Sequence, residues 1–292
     1  MLKAMMSSNW QRTSLVFIYI LHLASGYKIL GVFPHVAKSH FVMAEELMKG
    51  LAARGHEVTV ISHFPQKKPI PNYTDISLVG SMPNFVSAVP LDEIATGKVM
   101  TTVQLLEQLG VTGCEKTLSF PPVQKLINSE TKFDLVINEL FNTDCHAAFA
   151  YKFKVPLVST SCTPLLPWGY ARFGSPDNPS FVSNIFLGHS DTMSFYQRVV
   201  NTFYCVFLEW YYHYYFDMPS QEIARKYFGE NLPPLADIVL NTSLILVNRH
   251  PSINQPIPHV PAIVEVGGIH VPIPKKLPQV CLFNILFPKL IF

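Results

Sequence analysis

The sequence contains few charged residues, and they are not clustered. Asp, Glu, Lys and Arg make up 14 % of the 292 residues, and the formal net charge is +2. Without basic blocks, a nucleic-acid-binding surface is not expected. Apolar residues reach 49 %, more than in an average soluble domain. The chain is long enough to bury a sizeable core, as one large domain or two small ones.

Patterns typical of metal sites and disulfide frameworks are also missing. The five cysteines are far apart and include no CxxC pair. This spacing predicts neither a disulfide framework nor a structural zinc site. The histidines beyond residue 50 show no HExxH arrangement, so we interpret them as surface or core residues and expect no metal ligands.

Residues 1–26 have the order of segments that is typical of a secretory signal peptide. Basic residues precede an apolar run at 14–24, and small residues follow it. The run is shorter than the ~20 residues that a bilayer crossing needs. Sequons at Asn72 and Asn241 would accept N-linked glycans in the lumen. We therefore expect a lumenal location in the endoplasmic reticulum, at its membrane surface, or secretion.

Strand and helix patterns alternate after the signal segment. Residues 27–33 (YKILGVF) and 57–62 (EVTVIS) have the apolar, branched composition of strands, and a helical apolar spacing lies between them and ends at Arg54-Gly55. A strand, a helix and a second strand in this order predict parallel pairing. Further strands are predicted at 133–138, 155–159 and 244–248, and a further helix at 144–153. The predicted fold is a doubly wound, Rossmann-like α/β sheet.

The loop after the first strand, GVFPHVAKSHF (31–41), contains two histidines. It lacks the GxGxxG pattern of a dinucleotide loop, but it lies where open parallel sheets bind ligands, beyond the carboxyl ends of the strands. We predict that Ser39 caps the next helix and that His40 lies in its first turn. The helix dipole there disfavours an imidazolium, so His40 is expected to be neutral and able to accept a proton. His35, in mid-loop, lacks this setting.

A series of motifs in this sequence resembles the amino-terminal half of a UDP-glycosyltransferase, of the insect branch of the membrane-bound glucuronosyltransferase type. The motifs are GVFPHVAKSHF, LMKGLAARGHEVTVIS, FDLVINELFNTDC, VPLVSTS, SLILVNRHPS and VEVGGIHV. The resemblance covers about residues 14–279. It implies the GT-B fold, in which a first Rossmann-like domain binds the acceptor, a second binds the UDP-sugar, and a carboxy-terminal helix anchors the enzyme in the membrane.

The same resemblance implies a reaction. A sugar, glucose or glucuronate, passes from a UDP-sugar to a hydroxyl of a small lipophilic acceptor of the phenol, steroid or xenobiotic type, with inversion. The UDP-sugar is a co-substrate, and no other cofactor is implied. The family's serine-histidine-aromatic step falls on Ser39-His40-Phe41, so His40 takes the role of general base.

A histidine base needs an acid that orients it, and two acids follow the predicted strand 133–138. Glu139 falls on the strand-tip acid of many family members, although aspartate is usual there, and its longer side chain could bend away to solvent. Asp144 falls on a position that the insect-type pattern also keeps, and aspartate is the usual partner of such a histidine, although an acid at this point could simply begin a helix. We rank Asp144 slightly ahead and keep both.

The aromatic segment 195–216 has two possible interpretations. Polar residues interrupt the segment too often for a spanning helix. It is either a helix packed over the sheet or an interfacial helix at a membrane surface.

Residues 280–292 match nothing in the family. We therefore divide the chain into the signal peptide (1–26), the acceptor-binding domain (27–279) and an atypical tail (280–292).

No UDP-sugar signature follows residue 279, so we expect the 292-residue chain to be inactive alone. Two other functions are considered. A non-catalytic lumenal subunit would bind lipophilic aglycones or dock on full-length transferases, as a homo- or hetero-oligomer. A different Rossmann-type enzyme, such as a dehydrogenase, is disfavoured by the missing glycine pattern and by the signal peptide.

Overall fold

The computed structural model of the chain describes residues 26–83, 98–190 and 192–272. The predicted tail and, apart from its last residue, the predicted signal peptide lie outside these ranges. The described residues contain a seven-stranded sheet. Its strands are β1 (Lys28–Phe33), β2 (Glu57–Ser62), β3 (Tyr73–Ser77), β4 (Leu135–Glu139), β5 (Leu157–Ser161), β6 (Leu244–Val247) and β7 (Ile263–Glu265).

The strand order confirms the predicted doubly wound parallel sheet. The strands follow one another in space as β3-β2-β1-β4-β5-β6-β7, and each adjacent pair is parallel. The chain thus winds outward in one direction from β1 and in the other from β4. The strands β3 and β7 were not predicted. The former is a half-exposed edge strand, and the latter has three residues, so neither shows a buried apolar run.

Helices cover both faces of the sheet. They are α1 (Lys38–Ala53), α2 (Val99–Ser119), α3 (Pro121–Ile127), α4 (Ala148–Phe153), α5 (Phe195–Tyr212), α6 (Met218–Phe228) and α7 (Leu235–Leu240). A 3-10 turn, Cys145–Ala147, precedes α4, and a π-helical turn, His213–Asp217, joins α5 to α6.

Alternate residues of β1 point to the two faces. Ile29 and Phe33 pack against α1, in a cluster with Met48, whereas Leu30 and Val32 pack in a second cluster with residues of α2, α3, α4, α6 and α7. Because both faces are covered, β1 is apolar after Lys28, as is typical of parallel sheets, whereas β4 and β5 begin with apolar residues and end with buried polar ones.

The start of α1 differs from the prediction, and its end agrees with it. The N-cap is Ala37 rather than Ser39, and no side chain caps the helix. His40 nevertheless lies in the first turn, with its backbone N–H bonded to the Ala37 carbonyl at 3.1 Å. After the helix, Gly55 has a φ of +91°, a backbone conformation that favours glycine.

A disulfide joins Cys114 of α2 to Cys145 of the 3-10 turn after β4, which corrects the expectation of no disulfide. The two residues are 31 positions apart, and only the packing of α2 across the end of the sheet brings them together. Gly110 of the same helix marks this close approach, because a Cβ there would lie 2.0 Å from the carbonyl oxygen of Asn142.

The aromatic helix α5 has one buried and one exposed face. Its buried residues, such as Leu208 and Tyr212, form a cluster with Trp168 and with Val103 of α2, and this cluster is separate from the clusters on the two sheet faces. The interpretation of a helix packed directly over the sheet is therefore corrected. In the described part of the chain, no helix has the length and apolar character that a membrane crossing requires.

Candidate active site

Three side chains with polar, titratable groups meet at the carboxyl edge of the sheet. His40 follows β1, Glu139 is the last residue of β4, and Cys162 comes directly after β5. These three strands are neighbours in the order β1-β4-β5. Parallel strands end at the same edge, so residues more than a hundred positions apart come into contact there.

His40 and Glu139 form a close pair. The His40 Nδ1 lies 2.6 Å from the Glu139 Oε1, and only 13 % and 5 % of the two side chains are exposed. An ionised carboxylate only accepts hydrogen bonds, so Nδ1 carries the proton and donates it. This leaves Nε2 as the ring nitrogen with a free lone pair.

The carboxyl group of Glu139 is ionised at neutral pH despite its burial. Burial alone would raise its pKa, but the charge and the hydrogen bond of His40 outweigh burial and leave the pKa below its ordinary value. A buried carboxylate in this position fixes the orientation of the imidazole and stabilises the imidazolium that forms on protonation.

Cys162 is the third member of the cluster, and sequence reasoning missed it. Its Sγ lies 3.0 Å from the His40 Nδ1. Burial, and next the negative charge of Glu139, raise the pKa of the Cys162 thiol well above its ordinary value, so the thiol is protonated. Asn248 holds the backbone here by donating to the Cys162 carbonyl at 2.9 Å. The available signal was its position, three residues beyond the predicted strand 155–159; in the structure it directly follows β5.

His35 lies directly beside His40. Its ring stacks on that of His40, with centroids 3.7 Å apart and planes 14° apart, and the edge of Phe141 meets both rings. Burial, and next the charge of His40, lower the pKa of His35 to about 4. His35 is therefore neutral at physiological pH and stacks without charge repulsion. It shapes the site but does not contact Glu139 as His40 does.

Asp144, which we ranked ahead of Glu139, has a different partner. It forms a hydrogen-bonded ion pair with Arg172, and 1 % of its side chain is exposed. The Arg172 guanidinium also lies over the ring of Tyr212, 4.8 Å from its centroid. The structure therefore corrects the ranking. Glu139 ends β4 and reaches His40, whereas Asp144 comes after the chain has turned away from the sheet edge.

Two cavities lie at the carboxyl edge of the sheet, and one of them includes Glu139 in its lining. A small pocket of about 30 Å³ is lined by residues that include His35, Glu139, Phe141 and His146. A cavity of about 240 Å³ between the loops that follow β5 and β6 is lined mostly by apolar side chains. The larger cavity of about 500 Å³, near Leu157, is at the opposite end of β5 and contains no such cluster.

The fold and the site define a Rossmann-like enzyme domain with a histidine–carboxylate pair at its ligand-binding edge. A family model described as UDP-glucoronosyl and UDP-glucosyl transferase matches residues 77–284. This match covers well over half of the chain, which therefore belongs to the UDP-glycosyltransferase family.

Individual relatives show the same relationship. UDP-glucosyltransferase 2 of Dactylopius coccus is 38 % identical over 266 residues, which are 90 % of this chain and 51 % of the relative. UDP-glycosyltransferase UGT5 of the same organism is 35 % identical over 281 residues, 91 % of this chain and 52 % of the relative. UDP-glucuronosyltransferase 2B30 of Macaca fascicularis is 25 % identical over 299 residues. This alignment covers 94 % of this chain and 55 % of the relative. The chain spans about half the length of these relatives.

One solved structure, the glycotransferase of kitacinnamycin, aligns with 17 % identity and a TM-score of 0.38. The alignment covers 76 % of this chain and 46 % of the glycotransferase chain. A TM-score this low adds nothing to the fold class, which is given by the strand order.

Proposed function

We propose that this chain is the acceptor-binding half of a UDP-glycosyltransferase that transfers glucose or glucuronate to a hydroxyl of a small lipophilic molecule. Family membership supports the reaction class. The contact between His40 and Glu139 supports the assignment of roles, because the carboxylate engages Nδ1 and leaves Nε2 as the ring nitrogen that can exchange a proton with an acceptor hydroxyl.

In the proposed reaction, the His40 Nε2 accepts the hydroxyl proton while the acceptor oxygen forms a bond to the anomeric carbon of the sugar. The bond from that carbon to the UDP oxygen breaks on the opposite face, and the configuration inverts. Glu139 stabilises the imidazolium, which afterwards returns its proton to solvent. The step needs no covalent enzyme intermediate, and hence no serine or cysteine nucleophile.

We also propose that transfer requires the half of the family chain that these residues do not match. This proposal is supported by the coverage of about half of each relative. On this view the 292 residues alone hold the acceptor and the base but transfer no sugar.

The test is a substitution of the base in a full-length protein that carries this half. His40→Ala should lower kcat by about two to four orders of magnitude with UDP-glucose or UDP-glucuronate and a phenolic acceptor. The matched control is His213→Ala, because His213 is exposed on the π-helical turn. Turnover near that of the control would refute the proposed role.

We further propose a lumenal location. It is supported by the predicted signal peptide, by the exposure of both Asn72 and Asn241, and by the disulfide Cys114–Cys145, since disulfides persist in oxidising compartments. Expression in a secretory host, followed by enzymatic removal of N-glycans, should give a mass shift. The shift should shrink in Asn72→Gln or Asn241→Gln and vanish in the double variant.

The second candidate is a non-catalytic subunit that docks on a membrane surface or on a full-length transferase. It is favoured by the exposed face of α5, where Phe195, Val199, Phe203, Val206 and Trp210 are each more than half exposed. Apolar patches of this kind mark interaction sites. Phe203→Glu should then reduce sedimentation with lipid vesicles without lowering the melting temperature.

A further inference from the structure

We propose that His40, Glu139 and Cys162 together form a site for a soft divalent cation, with Zn²⁺ as the ion, and that binding there inhibits transfer. The inference rests on the proposed function in one respect, namely that His40 is the base. One nitrogen, one oxygen and one sulfur donor atom lie within 4.8 Å of one another. The shorter separations are 2.6 Å from Nδ1 to Oε1 and 3.0 Å from Nδ1 to Sγ.

The donor set fits zinc chemistry. Zinc takes imidazole nitrogen, thiolate sulfur and carboxylate oxygen as ligands, and three protein ligands with one open position are the arrangement of many reactive zinc sites. Donor atoms around a tetrahedral ion lie roughly 3.5 Å apart, given metal–ligand bonds of about 2.0–2.3 Å. The two shorter separations would therefore need to lengthen by less than about 1 Å, and the sulfur and carboxylate oxygen, which lie within 4.8 Å, would need to move to a similar spacing. Side-chain rotations of Glu139 and Cys162 can provide both changes. Hard cations such as Mg²⁺ do not favour this set.

The charges also fit a divalent ion in a largely buried place. One carboxylate and one thiolate balance the two positive charges, so the complex is neutral and its burial costs less than that of a lone ion. The backbone positions are fixed beforehand, since Glu139 belongs to β4 and Asn248 holds the Cys162 carbonyl. No spacing rule in the sequence finds this set, because the three residues follow or end three different strands, with His40 in the first turn of α1, Glu139 at the end of β4 and Cys162 after β5.

Metal binding would disable the base for a chemical reason. The ion takes the lone pair of the His40 Nδ1, so a neutral imidazole must carry its proton on Nε2. Nε2 then has no lone pair for the acceptor hydroxyl. The Cys162 thiol releases its proton to solvent, and the Nδ1 proton is exchanged for one on Nε2, so each bound ion releases one proton in total.

The test measures metal binding to the 292-residue chain directly. Replacing Cys205 and Cys281 with Ala leaves Cys162 as the one thiol outside the disulfide. In this background, Cd²⁺ should produce ultraviolet thiolate-to-metal absorption that saturates at one ion per chain, and Zn²⁺ should abolish it by competition. His40→Gln and Glu139→Gln, which keep the thiol, should each weaken Cd²⁺ and Zn²⁺ binding by more than about tenfold.

The matched control is His213→Gln, which removes an exposed histidine elsewhere and should leave affinity unchanged. Melting curves confirm that each variant is folded. Unchanged affinity in both His40→Gln and Glu139→Gln would overturn the inference, as would a failure of Zn²⁺ to compete. A saturating Cd²⁺ signal that all three ligand positions share would support it.

Transfer assays separate this inference from the proposed function. In a full-length protein with this half, Zn²⁺ should inhibit transfer by the parent. The Cys162→Ser variant, with its rate expressed relative to its own rate without metal, should need a higher Zn²⁺ concentration for the same fractional inhibition. Loss of turnover in His40→Ala without metal binding would refute the site alone. Metal binding together with normal turnover in His40→Ala would refute inhibition through the base, and with it the proposed function.

Discussion

The Glu139 carboxylate, at the end of β4, is held 2.6 Å from the Nδ1 of His40, which lies in the first turn of α1 and 99 residues away in sequence. Both side chains are mostly buried, so the interaction is stronger than it would be in water. The same contact fixes the tautomer, because a carboxylate that accepts from Nδ1 leaves the lone pair on Nε2. Orientation and basicity of the histidine thus depend on one residue.

The first prediction concerns this contact. Glu139→Gln preserves the shape but removes the charge, and its amide can donate to Nδ1 and favour the wrong tautomer. In a full-length protein with this half, kcat should fall by about two orders of magnitude or more, with little change in the acceptor KM. Asp144→Asn is the comparison variant, and its kcat per folded molecule should remain near that of the parent. The reverse order of effects would contradict the assignment.

The second prediction concerns the ion pair between Asp144 and Arg172, which is buried apart from 13 % of the arginine side chain. Arg172→Met leaves an unpaired buried carboxylate and should lower the free energy of unfolding by about 3–5 kcal/mol in urea titrations. The double variant with Asp144→Asn should recover much of this loss, because it removes the stranded charge as well.

An exposed ion pair provides the control for this measurement. The Lys28 Nζ lies 3.4 Å from the Glu57 Oε2, and the two side chains are 57 % and 64 % exposed. Lys28→Met should therefore change the free energy of unfolding by less than about 1 kcal/mol. Equal losses in Lys28→Met and Arg172→Met would show that burial of the Asp144 pair has no special effect.

The third prediction concerns the disulfide between Cys114 and Cys145. Cys114→Ser should lower the free energy of unfolding by about 2–5 kcal/mol, because the unfolded chain is no longer cross-linked. Reductant should destabilise the parent by a similar amount and should not destabilise Cys114→Ser further. If reductant affects both proteins equally, the bond does not form in solution.

The sequence predicts the sheet better than the site. Buried parallel strands are continuous apolar runs, so β1, β2 and β4 are visible from composition alone. The partner of His40 is not, because Glu139 and Asp144 follow the same strand and their directions depend on where the chain turns. Local patterns also give no sign of contacts between distant strand ends, which is why Cys162 and the pairing of Cys114 with Cys145 were missed. The family resemblance supplied the role of His40, which a lone loop histidine does not indicate.

The fourth prediction concerns Asp177, which lines the cavity of about 240 Å³ between the loops that follow β5 and β6. Burial, and next the charge of Glu209, raise the pKa of Asp177 from 3.8 to about 6. Between these two values the folded protein holds a proton that the unfolded chain has released. The contribution of this group to stability is therefore complete below pH 3.8 and is lost as the pH rises through about 6.

Asp177→Asn tests this dependence, because asparagine has nearly the same shape and stays neutral at every pH. The variant should melt at a higher temperature than the parent at pH 7.5, where the parent must bury a charged carboxylate, and at nearly the same temperature at pH 4. The control Glu230→Gln changes an exposed carboxylate and should show no such difference between the two pH values. If Asp177→Asn raises the melting temperature equally at both pH values, the effect is one of packing. If it lowers the melting temperature at pH 7.5, the Asp177 carboxylate stabilises the fold.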